Sequence, residues 1–247
     1  MPNAIALCCE LATGLLDDDA CAPHIDAAHI ACGAHALAPE AIAHAISLCA
    51  VRAIAVGASP GSVDAAGIGR RIALMTPDDI ARSVCAQIAA LPDTVRGHVR
   101  LHGALNQFAS TDPDVADALA LALAERFPGI VVVAPSGGHL IAAARRARLR
   151  ALPEIAADRQ YEPDGTLRGR SLAGAVFATA EQCAEQVRLA VQDGYVLAHD
   201  GARVYLDAAC AHVHGTDAQT PARIAKMRRL LERAGVRCAP PYSTATS

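Results

Sequence analysis

The stretch His98-Val99-Arg100-Leu101-His102-Gly103-Ala104-Leu105-Asn106, taken with Asp112-Pro113 and Ile130-Val131-Val132-Val133-Ala134 downstream, decides the fold class. Residues 98–102 read as a short strand and Gly103 permits a sharp turn. Asp112-Pro113 then opens a helix with a capping carboxylate and a proline at the first helical position. The β-branched run at 130–134 returns as a second strand. Strand, helix and strand in that order make the unit of a largely parallel α/β sheet.

The same alternation extends toward both ends. Further strands are predicted at residues 4–9, 29–32, 52–57, 149–152, 174–177 and 211–214. Thr76-Pro77-Asp78-Asp79 starts a helix whose Ile80, Val84 and Ile88 recur on one face. Another helix is predicted to start near Pro39, Thr179 with Gln182 forms a capping pair, and Thr220-Pro221 opens a last helix. Gly194 and Gly235 fit left-handed positions just past helix ends. No solenoid-length repeat or Ser/Gly-rich linker divides the chain, so residues 1–247 are expected to form one domain, with a frayed tail at 239–247. A closed barrel and an open doubly wound sheet both satisfy the pattern, and in either one chemistry gathers at the carboxyl ends of the strands.

Composition removes several function classes. The formal charge is −3 and the arginines are dispersed, so there is no basic stripe for nucleic acid. Met1-Pro2-Asn3-Ala4-Ile5 lacks a basic signal region, and no apolar run reaches the ~18 residues of a membrane span, so a cytoplasmic protein is expected. The nine cysteines are odd in number and contain no C-x-x-C pair, so they read as small buried hydrophobes and no structural metal is expected. Lys226, the only lysine, falls on the polar face of the last predicted helix. It serves neither a Walker A phosphate loop nor a Schiff base, which places any ATP elsewhere or on a partner.

The polar residues at strand ends are Glu10, His35, Ser59, His102, Asp158 with Arg159, and His214. His35 closes the segment His29-Ile30-Ala31-Cys32-Gly33-Ala34-His35 and can act as acid, base or ligand; the plain alternative is a histidine bonded to loop backbone. His24 and His44 read as merely exposed. Asn106 can point a carboxamide inward or cap a turn. Arg70 and Arg71, in the glycine-rich segment 57–71, can hold a carboxylate or phosphate bidentately or pair with Asp64. The longest polar stretch, 157–171, contains the turn Pro163-Asp164-Gly165-Thr166 and has the length of a lid or binding loop, or of a disordered one.

At these segments the chain resembles the LamB/YcsF family. His29 to His35 is similar to the family's I-A-C-G-F-H element, Gly57 to Gly61 to its G-A-H-P-G, and Gly67 to Arg71 to its G-F-G-R-R. His102 to Leu105 resembles K-P-H-G-A-L-Y, Ala157 to Ser171 the A-D-R-x-Y-x-x-D-G-T-L-x-x-R-S run, and Val213 to Gly215 the V-H-G. The resemblance implies a seven-stranded β/α barrel of the glycoside hydrolase/deacetylase type. It also implies a share, as the A-type component beside B- and C-type partners, in the 5-oxoprolinase reaction. That reaction converts 5-oxo-L-proline to L-glutamate while ATP, held with Mg in the complex, is hydrolysed. Carried onto this chain, the resemblance gives Glu10, His35, His102 and Asp158 as catalytic residues. Arg70, Arg71, Arg100, Asn106, Arg159, Tyr161 and His214 become substrate-binding residues.

The chain departs from the family at several strand ends. The family's D-L-N-C-D-L-G-E becomes Ala6-Leu7-Cys8-Cys9-Glu10-Leu11-Ala12-Thr13, its G-D after the histidine becomes Leu37-Ala38, and its second histidine becomes Ser59. K-P-H becomes Arg100-Leu101-His102, which keeps a positive charge but loses a neutral amine. These changes suggest a divergent paralogue. Three functions follow: a working 5-oxoprolinase component, a non-catalytic or substrate-shifted binding component, and a metal-dependent hydrolase using His35, His102, Glu10 or His214.

Overall fold

A computed structural model describes residues 3–63, 75–215 and 217–242. In chain order the elements are β1 (Ala4–Leu11), α1 (Asp18–Cys21), β2 (Ala27–Ala31), α2 (Pro39–Val51), β3 (Ala55–Ser59), α3 (Pro77–Ala89), β4 (His98–Arg100), α4 (Gly103–Thr111) and α5 (Pro113–Arg126). They continue with β5 (Val131–Pro135), α6 (His139–Arg146), β6 (Ala151–Ala156), α7 (Ala180–Gln192), β7 (Tyr195–Leu197), β8 (Arg203–Tyr205), β9 (Cys210–Val213), α8 (Thr220–Arg233) and β10 (Arg237–Cys238). Strands β1 to β6 pair in sequence, and β9 lies parallel to both β6 and β1, which closes a seven-stranded barrel. The open-sheet alternative is thereby excluded. Strand β10 adds to the start of β1, with Ala4 opposite Arg237.

The helix starts follow the capping chemistry. Thr76 Oγ1 accepts from Asp79 N at 3.2 Å, Asp112 Oδ1 accepts from Asp114 N and Val115 N at 3.0 Å each, and Thr179 with Gln182 forms a full capping box. Gly194 and Gly235 adopt φ +76° and +79° past the ends of α7 and α8. Ile80, Val84 and Ile88 are buried in the shell between strands and helices.

Inside the barrel, side chains two residues apart share a face, so each strand supplies a ladder of inward residues. The lower rungs are small or apolar: Ala6, Cys8, Ala27, Ala55, Val131, Val133, Leu152 and Cys210 pack together. The upper rungs are polar, and Glu10, His29, Ser59, Arg100, Glu154 and His212 are all buried. Gly57 makes room for this set, because a Cβ there would lie 2.2 Å from the His98 ring.

The structure corrects four expectations. Residues 174–177 form no strand, only a single bridge between Val176 and Arg159, because this segment belongs to the rim rather than the barrel. The strand expected at 52–57 starts at Ala55 instead, since Arg52 and Ala53 complete the turn that ends α2. The strand expected at 149–152 runs from Ala151 to Ala156, through Pro153. The first residues of the tail are not frayed: Ala239 N donates to Ile5 O at 3.0 Å, and the Tyr242 hydroxyl bonds His98 Nδ1 from below. That end of the barrel is apolar and needs a cover, which Tyr242 supplies by packing on the lower rungs. Residues 243–247 lie outside the described residues. The antiparallel hairpin β7–β8 and the short β10 add to the predicted strands.

Candidate active site

Glu10 is the hub at the carboxyl end of the barrel. Its Oε2 accepts from His102 Nδ1 at 2.6 Å, and its Oε1 from His35 Nε2 at 3.1 Å and from the Ser59 hydroxyl. An ionised carboxylate only accepts, so both histidines present their N–H to it. Burial alone would raise the Glu10 pKa, but the hydrogen bonds and charges of His102 and His35 outweigh it and hold the carboxyl well below its ordinary value. The two rings stack, with centroids 3.8 Å apart and planes 11° from parallel. His35 Nδ1 is buried without a hydrogen-bond partner and lies against the backbone of Gly61, where a Cβ would come within 2.8 Å of it. Gln87 on α3 fixes that turn, accepting from Gly61 N and donating to Gly61 O at 2.9 Å each. The turn at Gly61 therefore positions His35.

Asp158 forms a second carboxylate–histidine pair at the end of β6. Its Oδ1 bonds His214 Nδ1 at 2.9 Å, while Oδ2 accepts the backbone N–H of His214 at 3.0 Å and of Gly215 at 3.2 Å. Burial opposes ionisation, yet His214 and these N–H groups hold the Asp158 carboxyl below its ordinary value. Asp158 thus pins the end of β9 and orients His214.

Deeper in the barrel, Arg100 grips Glu154: Nε lies 3.0 Å from Oε2 and Nη2 2.9 Å from Oε1. Arg100 Nη1 donates to Leu101 O at 3.3 Å, so the guanidinium predicted for substrate is largely engaged within the protein. His29 Nδ1 and His98 Nε2 share a hydrogen bond of 2.8 Å, and His29 Nε2 stands 4.0 Å from Glu154 Oε2.

Some of these groups border a cavity of about 850 Å³. Its lining includes Glu10, Arg100, His102, Asn106, Glu154, Arg159, Tyr161, His212 and His214. The stretch after β6 is an ordered wall rather than a loose lid. Glu162 N donates to Thr166 O at 2.8 Å, Arg168 Nη1 to Glu162 Oε1 at 2.9 Å, and Arg159 Nε to Ala175 O at 3.1 Å. The Tyr161 hydroxyl accepts from Ala156 N at 2.8 Å, which ties that wall to the barrel. Burial, with Arg170 beside it, lowers the Arg159 pKa. Arg70 and Arg71 lie outside the described residues.

The structure thus gathers Glu10, His35, Ser59 and His102 into one cluster, and sets Arg159, Tyr161 and His214 on the cavity wall with Asp158 buried behind His214. Sequence reasoning missed Glu154 and His212. The signal for His212 was available, since it stands two residues before His214 and so shares its face of the strand. Glu154 was hidden because the predicted strand stopped at 152.

Residues 10–246 of the chain match the LamB/YcsF family. The chain belongs to this family. Among LamB/YcsF relatives, the A subunit of 5-oxoprolinase from Chloroflexus aggregans is 39% identical over 226 residues, which cover 89% of this chain and 90% of that protein. The A subunit of 5-oxoprolinase from Azorhizobium caulinodans is 38% identical over 234 residues, 92% of each chain. The crystal structure of a lactam utilization protein from Thermus thermophilus matches with a TM-score of 0.85 at 31% identity, covering 96% of this chain and 99% of that one. Against the LamB/YcsF pattern, Ala12 stands where the motif has glycine and keeps the left-handed backbone, at φ +62°.

Proposed function

We propose that this chain is the A-type component of an ATP-dependent 5-oxoprolinase, acting with B- and C-type subunits to open 5-oxo-L-proline to L-glutamate in the cytoplasm. The observation that carries the proposal is the Glu10–His35–His102 cluster at the cavity. It remains assembled although the strand ends around it depart from the family pattern. The cavity lies within the range of small-ligand sites and has ample room for a five-membered lactam acid.

In this reading Glu10 fixes the two imidazoles, and His102, which lines the cavity, moves the proton between water and the opening amide. Asp158 holds His214 at the opposite wall. Arg159, beside Tyr161, faces the carboxylate of the substrate. ATP with Mg, when bound in the complex, would supply phosphorylation of the lactam oxygen; this activates the resonance-stabilised carbonyl carbon toward water, and breaking of the ring C–N bond and departure of phosphate leave L-glutamate and ADP. The one lysine, Lys226, pairs with Glu181 at 2.6 Å on the outside of the barrel, so the chain offers no lysine to a nucleotide in the cavity. The nucleotide is therefore assigned to the assembled complex.

The test is 5-oxoproline-dependent ADP release by the complex reconstituted with B- and C-type partners. His102→Ala is expected to lower the rate by about 100-fold or more, the scale of a lost general acid–base group. Full activity of that variant, or no release from a complex that assembles, would sink the reading. One observation favours a metal-dependent hydrolase as a second reading: ligand-competent atoms of Glu10, His35 and His102 lie within 4.8 Å of one another. Full hydrolysis by chelator-stripped protein, assayed with only magnesium and ATP added back, would exclude it.

A further inference from the structure

We infer that His29, His212 and Glu154 form a second, separate metal site on the floor of the cavity, suited to an imidazole-preferring divalent ion of the zinc class. One ligand-competent atom from each residue lies within 4.8 Å of the others, and all three residues are buried. They come from β2, β9 and β6, so the barrel itself holds them. The register places His212 level with Cys8, one rung below Glu10, which separates this group from the cluster above.

Geometry alone would describe any buried polar trio, but two further observations point to a ligand. His29 Nε2 and His212 Nδ1 are both buried without a hydrogen-bond partner, at 0% and 2% residue exposure. An orphaned polar atom in such a place is costly unless something fills the space between. The other ring nitrogen of His29 is meanwhile committed to His98 at 2.8 Å, and His98 in turn to the Tyr242 hydroxyl. A metal-bound histidine is oriented in this way, with its distal N–H given to a second group. With His29 donating from Nδ1, its Nε2 carries the lone pair that an ion needs.

The charge around the site favours imidazole ligation. Arg100 neutralises Glu154 through both carboxylate oxygens, so the set offers two neutral rings and one compensated carboxylate. Such a set suits zinc or a neighbouring transition metal better than magnesium or calcium, which require several oxygens. Bonds of about 2.1 Å place tetrahedral ligands about 3.4 Å apart, so a bound ion draws together atoms that stand no more than 4.8 Å apart. Three protein ligands leave a position open. Because Glu154 and His212 both line the cavity, that position faces the space a small carboxylate or carbonyl ligand would occupy.

The test uses the full chain after chelator treatment, titrated with zinc by calorimetry and with cobalt(II) by visible absorption. One equivalent is expected, with a tetrahedral cobalt spectrum that lacks a thiolate charge-transfer band, which distinguishes the site from the nine cysteines. His29→Gln and His212→Gln should each weaken zinc binding by about 10-fold to 100-fold or more, whereas His35→Gln should retain it. Thermal unfolding of each variant checks that it folds, and anomalous scattering from zinc in the wild-type crystal locates the ion should either variant fail to fold. No zinc binding, a thiolate spectrum, binding indifferent to both variants, or an ion beside Glu10 would each overturn the proposal. The readout does not involve activity, so its failure would leave the 5-oxoprolinase reading standing.

Discussion

Around Glu10 both carboxylate oxygens are engaged by histidine and serine donors, and the anion serves as the fixed point of its cluster. Around Glu154 the carboxylate is taken by Arg100, while the neighbouring rings of His29 and His212 keep nitrogens with no partner. The upper cluster is therefore organised by a carboxylate that orders histidines. The inner cluster is organised by an ion pair that leaves its histidines poised but unsatisfied. The contrast shows that residue types alone do not tell a histidine cluster ordered by a carboxylate from one set beside an ion pair.

The comparison breaks most visibly at Glu154. Replacing it with leucine leaves the Arg100 guanidinium, 4% exposed, without its anion, and removing one partner of a buried pair costs about 3–5 kcal/mol. Denaturant unfolding should therefore show a much lower midpoint for Glu154→Leu. The double variant Arg100→Leu with Glu154→Leu should recover most of the loss, because no charge is then stranded. An equal loss in single and double variants would mean that the pair does not organise the inner cluster.

Acid separates the two clusters by pH window. Burial, with neighbouring positive groups in two cases, lowers the pKa of His29, His98 and His212, that of His98 to about 3. The unfolded chain takes up protons near the ordinary 6.5 that these folded histidines refuse, so stability falls as pH drops below that value. Each such histidine contributes a slope of about 1.4 kcal/mol per pH unit. Glu10 acts lower: its folded pKa is depressed, so its stabilisation is present above the ordinary 4.5 and is lost as pH falls below it. In metal-free protein, His29→Gln should flatten the curve of unfolding free energy between these two values, and Glu10→Gln only below the lower one. A slope unchanged by His29→Gln in the upper window would contradict the assignment of a neutral, buried inner cluster.

The same contrast explains what was legible in the sequence. Capping pairs such as Thr76-Pro77 and Asp112-Pro113 are local chemistry, so the helices they open could be placed within a few residues, whereas α4 and α6, which start without a side-chain cap, were not foreseen. Glu10, His35, His102 and Asp158 were visible because they stand at strand ends, where topology sends functional groups. The inner cluster was not, because His29 and His212 lie within strands and read as ordinary strand residues until closure of the barrel brings β2, β6 and β9 face to face. Closure depends on β9 pairing with β1 across the whole chain, a contact that no local pattern encodes. The hairpin β7–β8 escaped for a different reason: its strands are three residues each, too short to show a period.

The finest test of the comparison lies beneath the barrel. The Tyr242 hydroxyl meets His98 Nδ1, and His98 Nε2 meets His29 Nδ1, so the inner cluster is anchored from the tail while the upper one is anchored by Gln87 and the loop at Gly61. Tyr242→Phe keeps the ring that covers the lower rungs and removes only the hydroxyl. The expected loss is about 1 kcal/mol, the scale of one hydrogen bond whose partner is left buried. The more telling readout is the ring nitrogens themselves, followed by nitrogen-15 chemical shifts. Those of His98 and His29 should move together as the preferred tautomer is released, while those of His35 and His102 stay fixed. If the upper pair shifted as well, the two clusters would be a single coupled network rather than two independently anchored sites.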